Sequence, residues 1–190
     1  MNVPFGDLTR EVNPLRVAID EALGRVVDSG WFILGPEVEA FENEVSAWLE
    51  IPHAVGVASG TEAITLALMA LGVGKDDEVI TVANTYVPTA VGIAGSGATV
   101  RLADCDPETL MLMPGAVEKA ITNRTRAIVP VHLYGGGADM VRLREIADRH
   151  GLLIVEDCAQ AAGTQINEKA AGWYGDAAAF SFYPTKNLGA

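Results

Sequence analysis

Two spacings of apolar residues divide the chain. Up to about residue 50 they recur every three or four positions. Leu15, Ala18, Ile19, Ala22, Leu23, Val26 and Val27 predict an amphipathic helix. Asn13 and Pro14 read as its N-cap and first-turn pair, and Ser29-Gly30 as its stop. Pro36 starts a second helix with Val38, Phe41, Val45 and Trp48 on one face, and SGWFILGP between the two is a loop with an unusual apolar load. Beyond that segment, short apolar runs at 54–58, 78–82, 99–103, 126–131, 152–155 and 177–182 predict strands. Helical stretches at 62–71, 87–95, 115–122 and 139–150 lie between most of them. Strands that are apolar without alternation are covered on both faces. The prediction is therefore an α/β fold, a three-layer α/β/α arrangement around a largely parallel mixed sheet. Ligands of such sheets sit beyond the strands' carboxyl ends, so the chemistry belongs just after each strand.

Composition narrows the function classes. The chain has 190 residues, 49% apolar and 20% charged, which suits one sizeable domain or part of a larger one. Thirteen Lys and Arg against 25 Asp and Glu give a net charge of −12, with no basic cluster to displace counterions from a nucleic acid or to hold an anionic membrane surface. Cys105 and Cys158 stand alone, without the spacing of a zinc site or a disulfide framework, and a reduced, cytoplasmic protein is the expectation. MNVPFGDLTREV lacks the cationic start and apolar centre of a signal peptide. The most membrane-like stretch, 54–74, is interrupted by Glu62, an acid that costs about 3 kcal/mol at mid-span. A buried strand turning into a buried helix is the better reading.

Each strand end then carries something. After 54–58 comes Ser59-Gly60-Thr61 and a helix, which is either a phosphate cradle or a plain capped turn. The spacings of a Walker loop and of a dinucleotide fingerprint are both missing. After 78–82 comes Tyr86, able to stack on a planar ring or simply to pack. His132, after 126–131, reads first as a hydrogen-bonded structural histidine. The run 152–155 ends in Glu156-Asp157, acids costly to bury without a cation or donor, and no ligand spacing supports a metal. Lys186 follows a glycine- and alanine-rich apolar strand, where partial burial would ease loss of its proton, as imine chemistry requires. An anion site, a stacking face, a carboxylate and an amine together meet what pyridoxal phosphate demands.

Quoted in order, VPFGDL, SGWFILGPEVEAFE, VGVASGTEA, TYVPTA, DCDPETL, PVHLYG, IVEDCAQA and FSFYPTKNLGA span the whole chain. Together they resemble the DegT/DnrJ/EryC1/StrS sugar aminotransferases of the fold-type-I pyridoxal phosphate class. The resemblance implies the cofactor-binding large domain over 1–190, with a helical segment at about 1–50 and the small C-terminal domain absent. It implies Lys186 as the Schiff-base lysine that afterwards shuttles protons, and Asp157 as partner of the pyridine nitrogen. Tyr86 would stack on the ring, Gln160 would lie near its phenolic oxygen, and Gly60, Thr61 and Ser181 would hold the phosphate. His132 and Trp31 would line the pocket. The implied reaction moves an amino group from an amino acid, commonly glutamate, to a nucleotide-linked keto-deoxysugar, with SFYPTKNLGA closer to members that act at carbon 3. The implied assembly is a homodimer with a shared site.

Three departures stand out. Ala162 replaces a frequent His, Gly136-Gly137 replace a frequent Gln-Pro and imply a looser loop, and the family is roughly twice as long. The chain thus reads as an N-terminal half, inactive alone. Two rivals remain. A sugar dehydratase of the same family would carry His in place of Lys186, and a cofactor-binding regulator without turnover would use the same Lys186 and Asp157.

Overall fold

A computed structural model of the chain describes residues 4 and 6–189, in two compact units, Met1–Gly56 and Val57–Ala190. The first unit holds helices α1 (Leu8–Ser29) and α2 (Pro36–Leu49). The N-cap of α1 is Asp7, six residues before the expected Asn13 cap, and Pro14 lies inside the helix. Proline's fixed φ suits a helix, and its cost is the hydrogen bond its missing N–H would make. Leu8 and Val12 extend the apolar spacing toward the N-terminus and mark the true start. The helix ends on Gly30, whose φ of 66° is left-handed and whose N–H caps Val26 and Val27. Gly35 is extended and Pro36 opens α2 as expected. Trp31, Phe32, Ile33 and Leu34 between the helices are all exposed, with Trp31 Nε1 donating to Ile33 O at 2.8 Å.

The second unit runs α3 (Gly60–Ala70), β1 (Glu78–Val82), α4 (Val87–Gly95), β2 (Thr99–Ala103), α5 (Pro114–Ala120), β3 (Thr125–Val129), α6 (Met140–His150), β4 (Leu153–Asp157), β5 (Gln165–Ile166), β6 (Lys169–Ala170) and β7 (Ala177–Ala179). Five strands form one sheet in the order β2-β1-β3-β4-β7, every pairing parallel, while β5 and β6 make a separate antiparallel hairpin. The architecture is the expected α/β fold, and the antiparallel pairing lies outside the five-stranded sheet, in that hairpin and in a single Cys105–Leu112 bridge.

Strand periodicity explains why both faces are apolar. Ile80, Val82, Ile128 and Ile154 join one core with α5 and α6, through Val117, Met140, Leu143, Ile146 and Ala147. The residues between them, Val79, Ala127, Val129 and Val155, join a second core with α3 and α4, through Ile64, Leu68 and Ile93. Alternate residues thus serve opposite helical layers. The run 54–58 forms no strand, and Val55 is 77% exposed. Backbone in an apolar run becomes a strand only beside a neighbour that completes its ladder, and this run has none among the described residues. No helix among the described residues is long and apolar enough to cross a membrane.

From β1 the chain goes outward through α4 to β2, then returns through α5 to β3 on β1's other side. Strand order reverses there, which opens a crevice at the carboxyl edge between β1 and β3.

Candidate active site

The start of α3 resolves the ambiguity at Ser59-Gly60-Thr61. Ser59 is the N-cap, its hydroxyl accepting from Glu62 N at 3.1 Å, while Glu62 Oε2 accepts from Ala58 N at 3.1 Å. The amides of Gly60 and Thr61 donate to no described residue, so they stay available at the positive end of the helix. A Cβ on Gly60 would sit 3.0 Å from Ser181 Cβ and 3.2 Å from Phe180 O. Glycine is needed there because the segment after β7 runs against the helix start. Ser181 Oγ accepts from Tyr183 N at 3.4 Å and keeps its own proton to donate. Gly60, Thr61 and Ser181 are therefore brought together at a capped turn, with two amides and a hydroxyl placed where an anion could be held.

Asp157 closes β4 and is 4% exposed. By strand parity it follows Val155 onto the α3–α4 face, whereas Glu156 follows Ile154 onto the other. Its Oδ2 accepts from Thr89 Oγ1 at 2.7 Å, and its Oδ1 from Ala159 N at 3.1 Å. Thr89 is itself 2% exposed and shares a 2.7 Å hydrogen bond with Thr85 Oγ1. Burial pushes the Asp157 carboxyl above the usual aspartate range, against the pull of the Thr89 and Ala159 hydrogen bonds and the positive charges of His132, when protonated, and Lys186. A buried carboxylate held by two donors and still short of compensation is the partner that a cationic N–H would satisfy.

Lys186 is half-buried, its N–H donating to Tyr183 O at 2.7 Å in a turn beyond β7, and its ammonium acts electrostatically on Asp157. Tyr86 follows β1 as the residue preceding α4 and is 71% exposed. Gln160, just past β4, accepts from Tyr134 N at 3.0 Å through Oε1, which orients its amide NH2 away from that bond.

Two expectations change. His132 lines no opening, because its ring is fully buried and hydrogen-bonded to Glu156. The Gly136-Gly137 turn is tight instead of loose. A Cβ on Gly137 would come within 2.5 Å of Ile166 Cγ1, so glycine lets the β5–β6 hairpin close on the loop. Sequence reasoning missed Thr89, since a lone threonine in the first turn of a helix carries no pattern of its own. Its place one turn after Tyr86, at the mouth of the crevice, is the one available cue.

The donor set fits pyridoxal phosphate: amides and a hydroxyl for a phosphate, a buried acid for a pyridinium N–H, an aromatic face and an amine. Residues 14–190 match the DegT/DnrJ/EryC1/StrS aminotransferase family. The dTDP-3-amino-3,4,6-trideoxy-alpha-D-glucose transaminase of Streptomyces venezuelae is 52% identical over 187 residues, covering 98% of this chain and 49% of that protein. The crystal structure of S. venezuelae DesV in complex with a ketimine intermediate superposes with a TM-score of 0.94 at 51% identity, over 98% of this chain and 50% of that one. NtdA from Bacillus subtilis, solved with bound cofactor PMP, superposes with a TM-score of 0.91 at 37% identity, over 97% of this chain and 42% of that one. The chain spans about half the length of the curated relatives it matches. With a match over nearly its whole length, the chain belongs to the DegT/DnrJ/EryC1/StrS aminotransferase family.

Proposed function

We propose that the full-length protein is a pyridoxal phosphate-dependent aminotransferase. It moves an amino group from an amino acid, with glutamate as donor, to the keto group of a nucleotide-linked deoxysugar. Carbon 3 is the favoured position, in keeping with the 3-amino-sugar transaminase from S. venezuelae. The working unit is a homodimer in the cytoplasm. The observation that carries this reading is the buried Asp157 carboxylate, oriented by Thr89 and Ala159 on the same face as the free α3 amides.

Each residue has a task that its geometry suits. The Gly60 and Thr61 amides and the Ser181 hydroxyl would hold the cofactor phosphate at the positive end of α3. Asp157 would keep the ring nitrogen protonated, with Thr89 fixing which oxygen faces it. When bound, the cofactor supplies the electron sink that acidifies the carbon next to the transferred nitrogen. Lys186 Nζ would take that proton and return it one position along. Tyr86 would cover one ring face, and the Gln160 NH2 would donate to the phenolic oxygen.

The test is incubation of the full-length protein with glutamate and candidate keto-sugar nucleotides, followed by product analysis to locate the new amine. A new amine at carbon 3 supports the reading in full. Cofactor binding without amino transfer would favour a regulator, and loss of a hydroxyl in place of gain of an amine would favour a dehydratase.

A further inference from the structure

One buried group of titratable side chains that this reaction leaves unused lies around the end of β4. His132, Glu156 and Cys158 place their ligand-capable atoms within 4.8 Å of one another, and His132 and Glu156 are both 0% exposed. A metal would need that bonding capacity, but it is already spent. Glu156 Oε2 accepts from His132 Nε2 at 2.9 Å and from Gly172 N at 2.9 Å, while its Oε1 accepts from Gly175 N at 2.6 Å. Ala138 N donates to His132 Nδ1 at 3.1 Å. Burial and the flanking acids Glu156 and Asp157 push the Cys158 thiol well up, which keeps it protonated. His132 and Glu156 form a closed hydrogen-bond network.

Its donors fix its protons. An amide N–H can only donate, so Nδ1 of His132 is the bare acceptor and Nε2 carries the hydrogen. What the network joins gives it a use. His132 N donates to Asp157 O at 3.0 Å and Asp157 N to Pro130 O at 2.9 Å, which ties the end of β4 to the segment after β3. Gly172 and Gly175 lie in the loop that enters β7, and neither has room for a side chain. A Cβ on Gly172 (φ +95°) would sit 3.0 Å from the Phe180 ring, and one on Gly175 would sit 2.8 Å from Ala177 O. The strand β7 then runs on to Ser181 and Lys186.

We infer that His132 and Glu156 are positioning residues: from the opposite face of the sheet, they set the register of β7 and the Ser181–Lys186 segment against Asp157. This rests on the cofactor reading above. Glu156→Gln probes it without changing shape. A carboxamide offers one acceptor oxygen and one NH2 group. Turned toward Gly175, the NH2 meets a donor. Turned the other way, it meets the Gly172 N–H and the proton on Nε2, and moving that proton to Nδ1 would set it against Ala138 N–H. No arrangement satisfies every partner.

The experiment uses the full-length protein and pyridoxal phosphate itself. Glu156→Gln should bind the cofactor about tenfold or more weakly, and the pH midpoint of the bound cofactor's visible band should shift. His132→Gln keeps a donor at Glu156 and should stay within about threefold of the parent. Nitrogen-15 spectra of the unsubstituted protein at pH 7.5 should show His132 with hydrogen on Nε2 and none on Nδ1, a result independent of any variant's folding. Hydrogen on Nδ1 would overturn the inference. So would a folded Glu156→Gln protein that loses thermal stability but keeps both affinity and midpoint. Failure of the unsubstituted protein to bind cofactor would instead refute the functional reading, and the positioning role with it.

Discussion

Asp157 is where burial and function pull against each other. Its folded-state pKa is raised, mainly by burial, so the folded chain holds this proton more tightly than the unfolded chain does. By linkage, stability is highest below the ordinary aspartate range and falls as pH rises through the raised value. Asp157→Asn should therefore leave the cofactor-free protein with a Tm at or above the parent's at neutral pH. That difference should vanish toward the pH at which unfolded aspartate protonates. An asparagine still fits: its carbonyl accepts from Ala159 N, and its NH2 donates to Thr89 Oγ1, which can turn its own proton to Thr85. The same variant should lose roughly 100-fold or more in turnover, because a neutral amide no longer keeps the ring nitrogen protonated. Thermal melts across pH and steady-state rates check the two halves. A lower Tm at neutral pH would contradict the stability half.

At the scale of elements, glycines separate tight joints from open helix. Gly137→Ala puts a carbon within 2.5 Å of Ile166 and should destabilise by about 1–3 kcal/mol. Gly24, inside α1, has nothing within 4 Å of where a methyl would sit, and Gly24→Ala should stabilise by about 0.5–1 kcal/mol. Denaturant melts of both variants in one background check the pair. Much of this element list was legible beforehand. The strands Glu78–Val82 and Thr99–Ala103 and the helix Val87–Gly95 fall where apolar runs and spacing put them, and Glu78–Val82, buried at every residue, shows how both-face burial leaves a plain mark on sequence. Residues 54–58 carry the same mark without a partner strand, and composition cannot say whether a ladder exists. Pro14 misled for a related reason, as one residue's preference was set against a longer stripe of apolar spacing that overrode it. Which of two adjacent acids meets the site follows from strand parity, which is legible. That Thr89 orients the acid depends on how α4 packs, which is not.

Across the second unit the parallel sheet gives its two edges different work. The carboxyl edge gathers the site, and the amino edge holds Glu78, 3% exposed, against the Thr122 hydroxyl at 2.7 Å and the guanidinium groups of Arg124 and Arg101. The Thr122 hydrogen bond, then Arg124 and Arg101, hold the Glu78 carboxyl below the usual glutamate range. Its contribution is therefore complete above that range and is lost as pH falls through the lowered value. Glu78→Gln should lower Tm at neutral pH, and the gap to the parent should close in acid, below about pH 4. A gap independent of pH would mean that the charge on Glu78 does not stabilise the fold. The proposed covalent link between this chain and the cofactor is tested by borohydride reduction of the full-length protein loaded with pyridoxal phosphate, followed by peptide mass spectrometry. The reduced cofactor should be found on Lys186 Nζ. Its appearance instead on Lys75, Lys119 or Lys169, or on no lysine of this chain, would contradict the assignment of Lys186 and the function built on it.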